Sequence, residues 1–227
     1  MEISINMNLI FNFKRIASNF LNKKIKKNNN EKFEDFKTLI KNKKFTTFWF
    51  LNNLKIFDYF LPKNNSEKFN YLEIGSFEGM SALYILNYFK NANVYCVDVW
   101  KNTKENNENL NYDFEQIEKN FDNNLKNFNF NKNKKDSVSA IREYYESNIK
   151  FDYIYIDGSH LGTDILIDAI ESFKILNNNG FLIFDDIDPS VNNEILNPID
   201  SIKIFCKLFK YKINILYFKR LVVLKKK

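Results

Sequence analysis

Glycine and proline are scarce in this chain, five and three in 227 residues. A glycine standing between an apolar run and a helical pattern therefore carries weight. Two cysteines, Cys96 and Cys206, lie far apart and make no ligand-spaced pair, so a cysteine metal site is excluded and both read as buried, reduced thiols. Long hydrophobic runs are also missing. The residues through Lys27 mix Ile, Leu and Phe with Asn and Lys, without the unbroken apolar stretch and small-residue cleavage site of a secretory signal. The most hydrophobic window, Phe45 to Leu61, is interrupted by Asn52, Asn53, Lys55 and Asp58, which makes a membrane span costly. A soluble, cytoplasmic protein is expected, with an N-terminus that allows at most weak contact with a membrane surface. No internal repeat is present.

What the chain has in quantity is aromatic residues, 24 Phe and 12 Tyr, and enough length for one sizeable core but not for two complete domains. A net charge of +6 raises the question of nucleic acid. Its distribution argues against that reading. Residues 1–44 carry 11 basic and 4 acidic groups, a balance of +7, and residues 201–227 carry 9 basic and no acidic groups. Residues 45–200 carry 14 basic and 24 acidic groups, so the body between the basic ends is acidic.

A helical pattern opens at Glu31, with Phe33, Phe36, Leu39 and Ile40 at spacings of three and four, and a second helix is expected from Thr46 to Phe60. Pro62 and the polar run Lys63 to Lys68 mark a boundary, which divides a basic helical extension or cap (1–68) from the main domain (69–227). Beyond it, apolar runs alternate with helical patterns, the rhythm of repeated βα units on a largely parallel sheet. The runs are 71–74, 94–97, 128–133, 153–156 and 181–184. The helices between them are 80–89, 114–125, 138–146 and 163–176, and a further helix follows Pro198 to about Phe209. Strands at 213–218 and 221–224, joined by Lys219 and Arg220 alone, predict an antiparallel hairpin.

The first strand runs into Glu73-Ile74-Gly75-Ser76-Phe77-Glu78-Gly79 and then a helix. Glycines there let the backbone turn sharply and approach a ligand, with helix-start N–H groups free to hydrogen-bond it. A nicotinamide fingerprint starting at Gly75 needs glycine at positions 77 and 80, where the chain has Phe77 and Met80, and so it fails.

The same stretch resembles the acidic-x-Gly-x-Gly-x-Gly loop of Class I S-adenosylmethionine-dependent methyltransferases through Glu73, Gly75 and Gly79. Phe77 departs from the pattern. The branch most similar is methyltransferase domain 24, in which Glu-Ile-Gly-Ser-x-x-Gly-x-Ser is typical, so Ser76 and Ser81 fit as well. The resemblance implies an α/β, Rossmann-like seven-stranded sheet of order 3-2-1-4-5-7-6 with an N-terminal helical cap, and S-adenosylmethionine as cofactor. Asp98, at the tip of the second strand, is then the expected ribose ligand, since a carboxylate can accept both hydroxyls. Trp100 resembles the family's Asp-x-Trp and either flanks the adenosine or covers apolar surface. Asp136 and Ser137 match the position that meets the adenine edge, and Asp-Ser is equally an ordinary helix N-cap.

The fourth strand ends Asp157-Gly158-Ser159-His160 and the fifth ends Asp185-Asp186. Ligands sit beyond the carboxyl ends of strands in an open α/β sheet, so these groups are expected at one rim, with Asp157 also near the cofactor. His160 is the only histidine. The cluster is similar to that of metal-dependent O-methyltransferases, including those acting on sugar hydroxyls. There, one acid after the fourth strand and two after the fifth hold a cation, and a histidine three residues past the first acid acts as base. The resemblance thus implies Asp157, Asp185 and Asp186 around Mg²⁺ or another divalent cation, with His160 as catalytic base. On the bland reading these are ordinary strand-end acids; Asp164 and Asp168 are expected to be solvated helix positions.

The expectation is methyl transfer to a small-molecule hydroxyl. Two alternatives stand beside it: a metal-independent N-, C- or O-methyltransferase, and a non-catalytic binding protein on the same fold that docks on nucleic acid or membrane through its basic ends. The acceptor and the oligomeric state are not legible in the residues, and the segment 101–113, rich in Asn and Glu, is expected to border the acceptor pocket.

Overall fold

Residues 69–74 (Phe-Asn-Tyr-Leu-Glu-Ile) alternate between the two faces of a sheet, and that alternation organises the molecule. The computed structural model describes residues 7–27, 31–101, 112–185, 187 and 197–227. Seven strands, β1 (Phe69–Ile74), β2 (Ala92–Asp98), β3 (Asn131–Lys134), β4 (Phe151–Ile156), β5 (Leu176–Phe184), β6 (Ile213–Phe218) and β7 (Val222–Lys226), form one sheet of order β3-β2-β1-β4-β5-β7-β6. The first five run parallel, and β7 is antiparallel to both β5 and β6. This is the expected architecture and strand order.

On one face Tyr71, Tyr153, Tyr155 and Tyr217 pack against α2 (Glu31–Ile40), α3 (Leu54–Phe60), α4 (Met80–Tyr88) and α5 (Phe114–Leu125). On the other, Leu72, Ile154, Ile156, Leu182 and Phe184 pack against α6 (Ser137–Glu146), α7 (Gly162–Ile175) and α8 (Pro198–Leu208). The sheet thus presents tyrosines to the first, aromatic-rich core and mainly aliphatic residues to the second, where the helices add Tyr144, Phe173 and Phe205. Phe57 of α3 sits edge-on to Tyr155 at 5.1 Å, and Phe36 of α2 is perpendicular to Tyr84 at 5.1 Å, so the N-terminal helices belong to the aromatic layer.

Three local expectations are corrected. The helix expected over 46–60 is instead a 3-10 turn, Trp49–Asn52, followed by α3, with Thr46 outside any helix and its N–H and hydroxyl donating to the Glu78 carboxylate. The third strand begins at Asn131 rather than Phe128 and is wholly polar. It lies at the sheet edge and needs only backbone pairing with β2, while Phe130 turns to Phe121 at 5.6 Å. The β6–β7 connection spans three residues, not two, closed by the Lys219 N–H donating to the Leu221 carbonyl at 3.0 Å.

Helix α1 (Met7–Lys27) runs along the other edge, beside β6. Phe11 stacks on Phe218 at 5.1 Å within the second core, and Ile25 reaches the first, so the helix crosses the edge from one face to the other. Between them the Ser18 hydroxyl accepts the Phe218 N–H at 2.9 Å, satisfying a strand-edge donor that has no further strand to pair with. Cys96 and Cys206 are buried and unpaired, as their spacing predicts.

Candidate functional site

The carboxyl ends of β2, β1, β4 and β5 are stitched together before any side chain is considered. The Gly75 N–H donates to the Val97 carbonyl at 2.8 Å, Asp157 N–H to Ile74 at 2.9 Å, and Asp185 N–H to Ile156 at 3.0 Å. Gly75 has φ +87° and lies so close to β4 that a Cβ there would fall 2.1 Å from the Asp157 carbonyl oxygen. No other residue fits that position without moving a strand. Gly79, at φ +78°, opens α4 and packs on the Phe121 ring.

Above these strand ends lies a cavity of about 660 Å³. The turn contributes Gly75, Ser76 and Ser81, β2 contributes Asp98, and the far rim contributes Asp157, His160 and Asp185. Asp136 and Ser137 line it from the start of α6, and Phe45, Trp49, Phe77, Tyr112 and Phe114 form an aromatic wall. Trp49 lies near-parallel to Phe77 at 6.3 Å, and Phe77 meets Tyr112 edge-on at 5.6 Å. Most of the predicted residues thus share one space.

Asp98 holds the turn to β2. One carboxylate oxygen accepts the Phe77 N–H and the other the Trp100 N–H, each at 2.8 Å. Burial raises its pKa, and these two backbone donors act in the opposite direction. Since a carboxylate offers about four acceptor sites, both oxygens keep capacity for a ligand. Trp100 does not line the cavity. It is buried, its ring packs on Phe121 at 4.8 Å, and its Nε1 donates to the Phe77 carbonyl at 2.9 Å, so it fastens the turn from behind.

Glu73 is fully buried below the cavity floor, and burial pushes its pKa up to about 7 despite the nearby hydroxyls of Ser81, Tyr71 and Ser76. Tyr71 donates to Oε2 at 2.9 Å, whereas Glu73 Oε1 and Ser76 Oγ are buried without a hydrogen-bond partner. Of the two residues only Ser76 lines the cavity, where a ligand with a polar group would satisfy its hydroxyl.

Asp136 caps α6 by accepting the Ser139 N–H at 2.9 Å, which lowers its pKa. Ser137 instead donates to Asp168 at 2.5 Å. Asp168 is therefore not the solvated position expected of it. It is 4% exposed, on the face of α7 turned towards α6, and burial raises its pKa to about 7. Asp164 likewise turns inward, accepting the Ser159 hydroxyl at 2.7 Å.

At the far rim, Asp185 is buried and both of its oxygens are engaged. Asn53 Nδ2 donates to one at 2.5 Å and the Tyr155 hydroxyl donates to the other. The same hydroxyl lies 3.4 Å from Asp157, and burial beside the two carboxylates raises the Tyr155 pKa well above its usual value. His160 is exposed at the cavity edge. Asp186 and residues 102–111 of the expected acceptor-pocket segment lie outside the described residues. Among the described residues, no group of three or more His, Cys, Asp or Glu side chains is arranged to hold a metal ion. No described helix is long and apolar enough to cross a membrane.

Sequence reasoning missed Asn53, Tyr155 and Glu78. Glu78 is 2% exposed and accepts from Thr46 N–H at 2.6 Å and from Asn120 Nδ2 at 2.7 Å, which ties residues 43–46 to α5. Asn124 completes the tie, donating to the carbonyls of Lys44 at 2.8 Å and Glu78 at 3.0 Å. A signal existed in the sequence: Asn120 and Asn124 sit four apart on the helix face that carries Ile117, Phe121 and Leu125.

Comparison with known proteins agrees with this geometry. A family model described as a methyltransferase domain matches residues 72–187, just over half of the chain. No curated protein matches. Among solved structures, the MycE methyltransferase of the mycinamycin biosynthetic pathway, in complex with Mg and SAH, is similar at TM-score 0.56 and 13% identity. That match covers 85% of this chain and 54% of MycE, so the chain spans about half of that protein's length. An O-methyltransferase from Bacillus cereus in complex with SAH is similar at TM-score 0.55 and 11% identity, covering 96% of this chain and all of that one. A putative O-methyltransferase from Klebsiella pneumoniae matches at TM-score 0.54 and 10% identity over 96% of this chain and 99% of that one. At such identities these likenesses establish the fold, and the family model establishes the kinship: the chain belongs to the methyltransferase-domain family.

Proposed function

We propose that this enzyme methylates a hydroxyl of a small, ring-bearing molecule. The observation that carries the reading is that one cavity is shared by the glycine turn with Asp98 and by the rim of Asp157, His160 and Asp185. When bound, S-adenosylmethionine supplies an electrophilic methyl group. Gly75, Ser76, Ser81 and Asp98 hold it, with Asp98 on the ribose, Asp136 and Ser137 at the adenine edge, and Glu73 supporting the turn from below. Asp157 stands where the cofactor and acceptor halves meet. The aromatic wall of Trp49, Phe77 and Tyr112 suits one face of a sugar or an aromatic ring. His160, neutral at an imidazole nitrogen, accepts the acceptor's hydroxyl proton as the oxygen–carbon bond forms and the sulfur–carbon bond breaks. Alignment of the two reactants does the rest.

Asp157, Asp185 and Asp186 are the residues that would hold a divalent cation, whose contribution would be to acidify a coordinated hydroxyl. Asn53 and Tyr155 already hold the two oxygens of Asp185 by hydrogen bonds, so the carboxylate is fixed in place by protein donors and a cation would have to share it with them. That observation favours a second reading, transfer without metal, in which protein donors hold the rim and His160 alone moves the proton. A reducing compartment, the cytoplasm, suits the two buried free thiols.

The test is methyl transfer from labelled S-adenosylmethionine to a panel of sugars and phenols, with and without chelator. His160→Ala should lower kcat on a hydroxyl acceptor by about 100-fold or more. Transfer to amines only, or an unchanged kcat in that variant, would overturn the O-methylation reading. Activity that persists in chelator decides for the metal-free route.

A further inference from the structure

Helix α1 has a second apolar face that none of the described residues covers. Leu9, Phe13, Ile16 and Phe20 are 69%, 67%, 55% and 69% exposed, although each is a large hydrophobic side chain. Their spacing of four, three and four places them within about 60° of one another around the helix and along about 17 Å of its length. Phe11, Ser18 and Ile25, which seat the helix on β6, lie on the opposite side. The inward face thus anchors the helix to the sheet edge, and the outward stripe faces solvent.

Charge identifies what would cover it. Residues 7–27 include six basic side chains and no acidic one. Lys23 and Lys24 are exposed and flank the continuation of the stripe at its C-terminal end. A second copy of the same helix would bring like charges together along the contact, whereas an anionic lipid surface takes both the apolar stripe and its basic flank. We infer that α1 is a docking face for an anionic bilayer, with Leu9, Phe13, Ile16 and Phe20 entering the headgroup boundary and Lys23 and Lys24 meeting lipid phosphates. Because Phe11, Ser18 and Ile25 already fix the helix to the sheet, the whole enzyme is carried to the surface and no segment has to fold on arrival.

The experiment is co-sedimentation of the full chain with phosphatidylcholine vesicles and with vesicles that also contain phosphatidylglycerol. The wild type is expected to pellet with the anionic vesicles only, and less so as salt rises. Phe13→Ser/Phe20→Ser and Lys23→Glu/Lys24→Glu should each weaken binding about tenfold or more, with melting temperatures unchanged because all four positions are solvent-exposed. Wild-type protein that stays in the supernatant, or variants that bind as tightly as it does, would overturn the proposal. So would a dimer in sedimentation velocity that Phe13→Ser/Phe20→Ser converts to monomer, since the stripe would then belong to a second copy.

Discussion

Asn53 and Asp185 stand 132 residues apart and meet in a buried hydrogen bond of 2.5 Å, from the residue that interrupts the N-terminal helices to the tip of β5. The bond joins the aromatic layer to the far rim of the cavity. It also sets the direction of the Asp185 carboxylate, whose second oxygen is held by Tyr155.

Asn53→Leu removes a hydrogen bond to a buried carboxylate and puts nothing in its place. The expected cost is about 1.5–3 kcal/mol of folding stability, read as a lower urea midpoint at unchanged slope. An unchanged midpoint would mean that Tyr155 alone suffices to hold Asp185.

Glu78→Ala leaves the Asn120 amide without its acceptor in the interior, at about 1–3 kcal/mol, and releases the N–H of exposed Thr46 to water. Adding Asn120→Ala should cost less in this background than in the wild type, because its amide is already orphaned. A double-mutant cycle from denaturant melts measures the difference, and strict additivity would break the proposed link between residues 43–46 and α5.

Asp98→Ala removes both the acceptor for the turn's backbone N–H groups and the proposed ribose ligand. S-adenosylmethionine affinity should fall by about tenfold or more, equivalent to at least about 1.4 kcal/mol by calorimetry. Unchanged affinity would count against the whole cofactor assignment.

Asp168 and Glu73 make the stability of the ligand-free protein depend on pH. Burial raises both to about 7 from ordinary values of 3.8 and 4.5, so between those limits the folded state binds more protons than the unfolded one. Their contribution is complete below about pH 4 and is lost as pH rises through about 7. Asp168 accounts for roughly 4 kcal/mol and Glu73 for roughly 3 kcal/mol across that window. Unfolding free energy measured from pH 5 to 8 should fall less steeply in Asp168→Asn than in the wild type; parallel curves would show that this carboxyl does not titrate there.

Much of the fold was legible because its signals are local. Runs such as Tyr153-Ile154-Tyr155-Ile156 reveal a strand buried on both faces wherever the chain goes, and glycines 75 and 79 mark a turn that takes positive φ at both positions. The polar edge strand Asn131–Lys134 was misplaced because an edge needs no apolar face to pair its backbone. The helix expected from Thr46 failed for another reason. Residues 46–48 stay outside any helix, and the Thr46 N–H and hydroxyl donate to Glu78, a partner 32 residues away that no propensity can anticipate.

By itself, the sequence determined the order of elements, the glycine turn and the acids at the strand ends, all of which follow from periodicity and from conformations that only certain residues adopt. Tertiary structure alone decided that Asp185 answers to Asn53 and Tyr155, that Asp168 is buried against Ser137, and that Trp100 props the turn from behind. It also decided which side of α1 is left to solvent. The physical reason is that a residue's type limits the bonds it can make, while the partner available to make them is chosen by where a distant part of the chain returns.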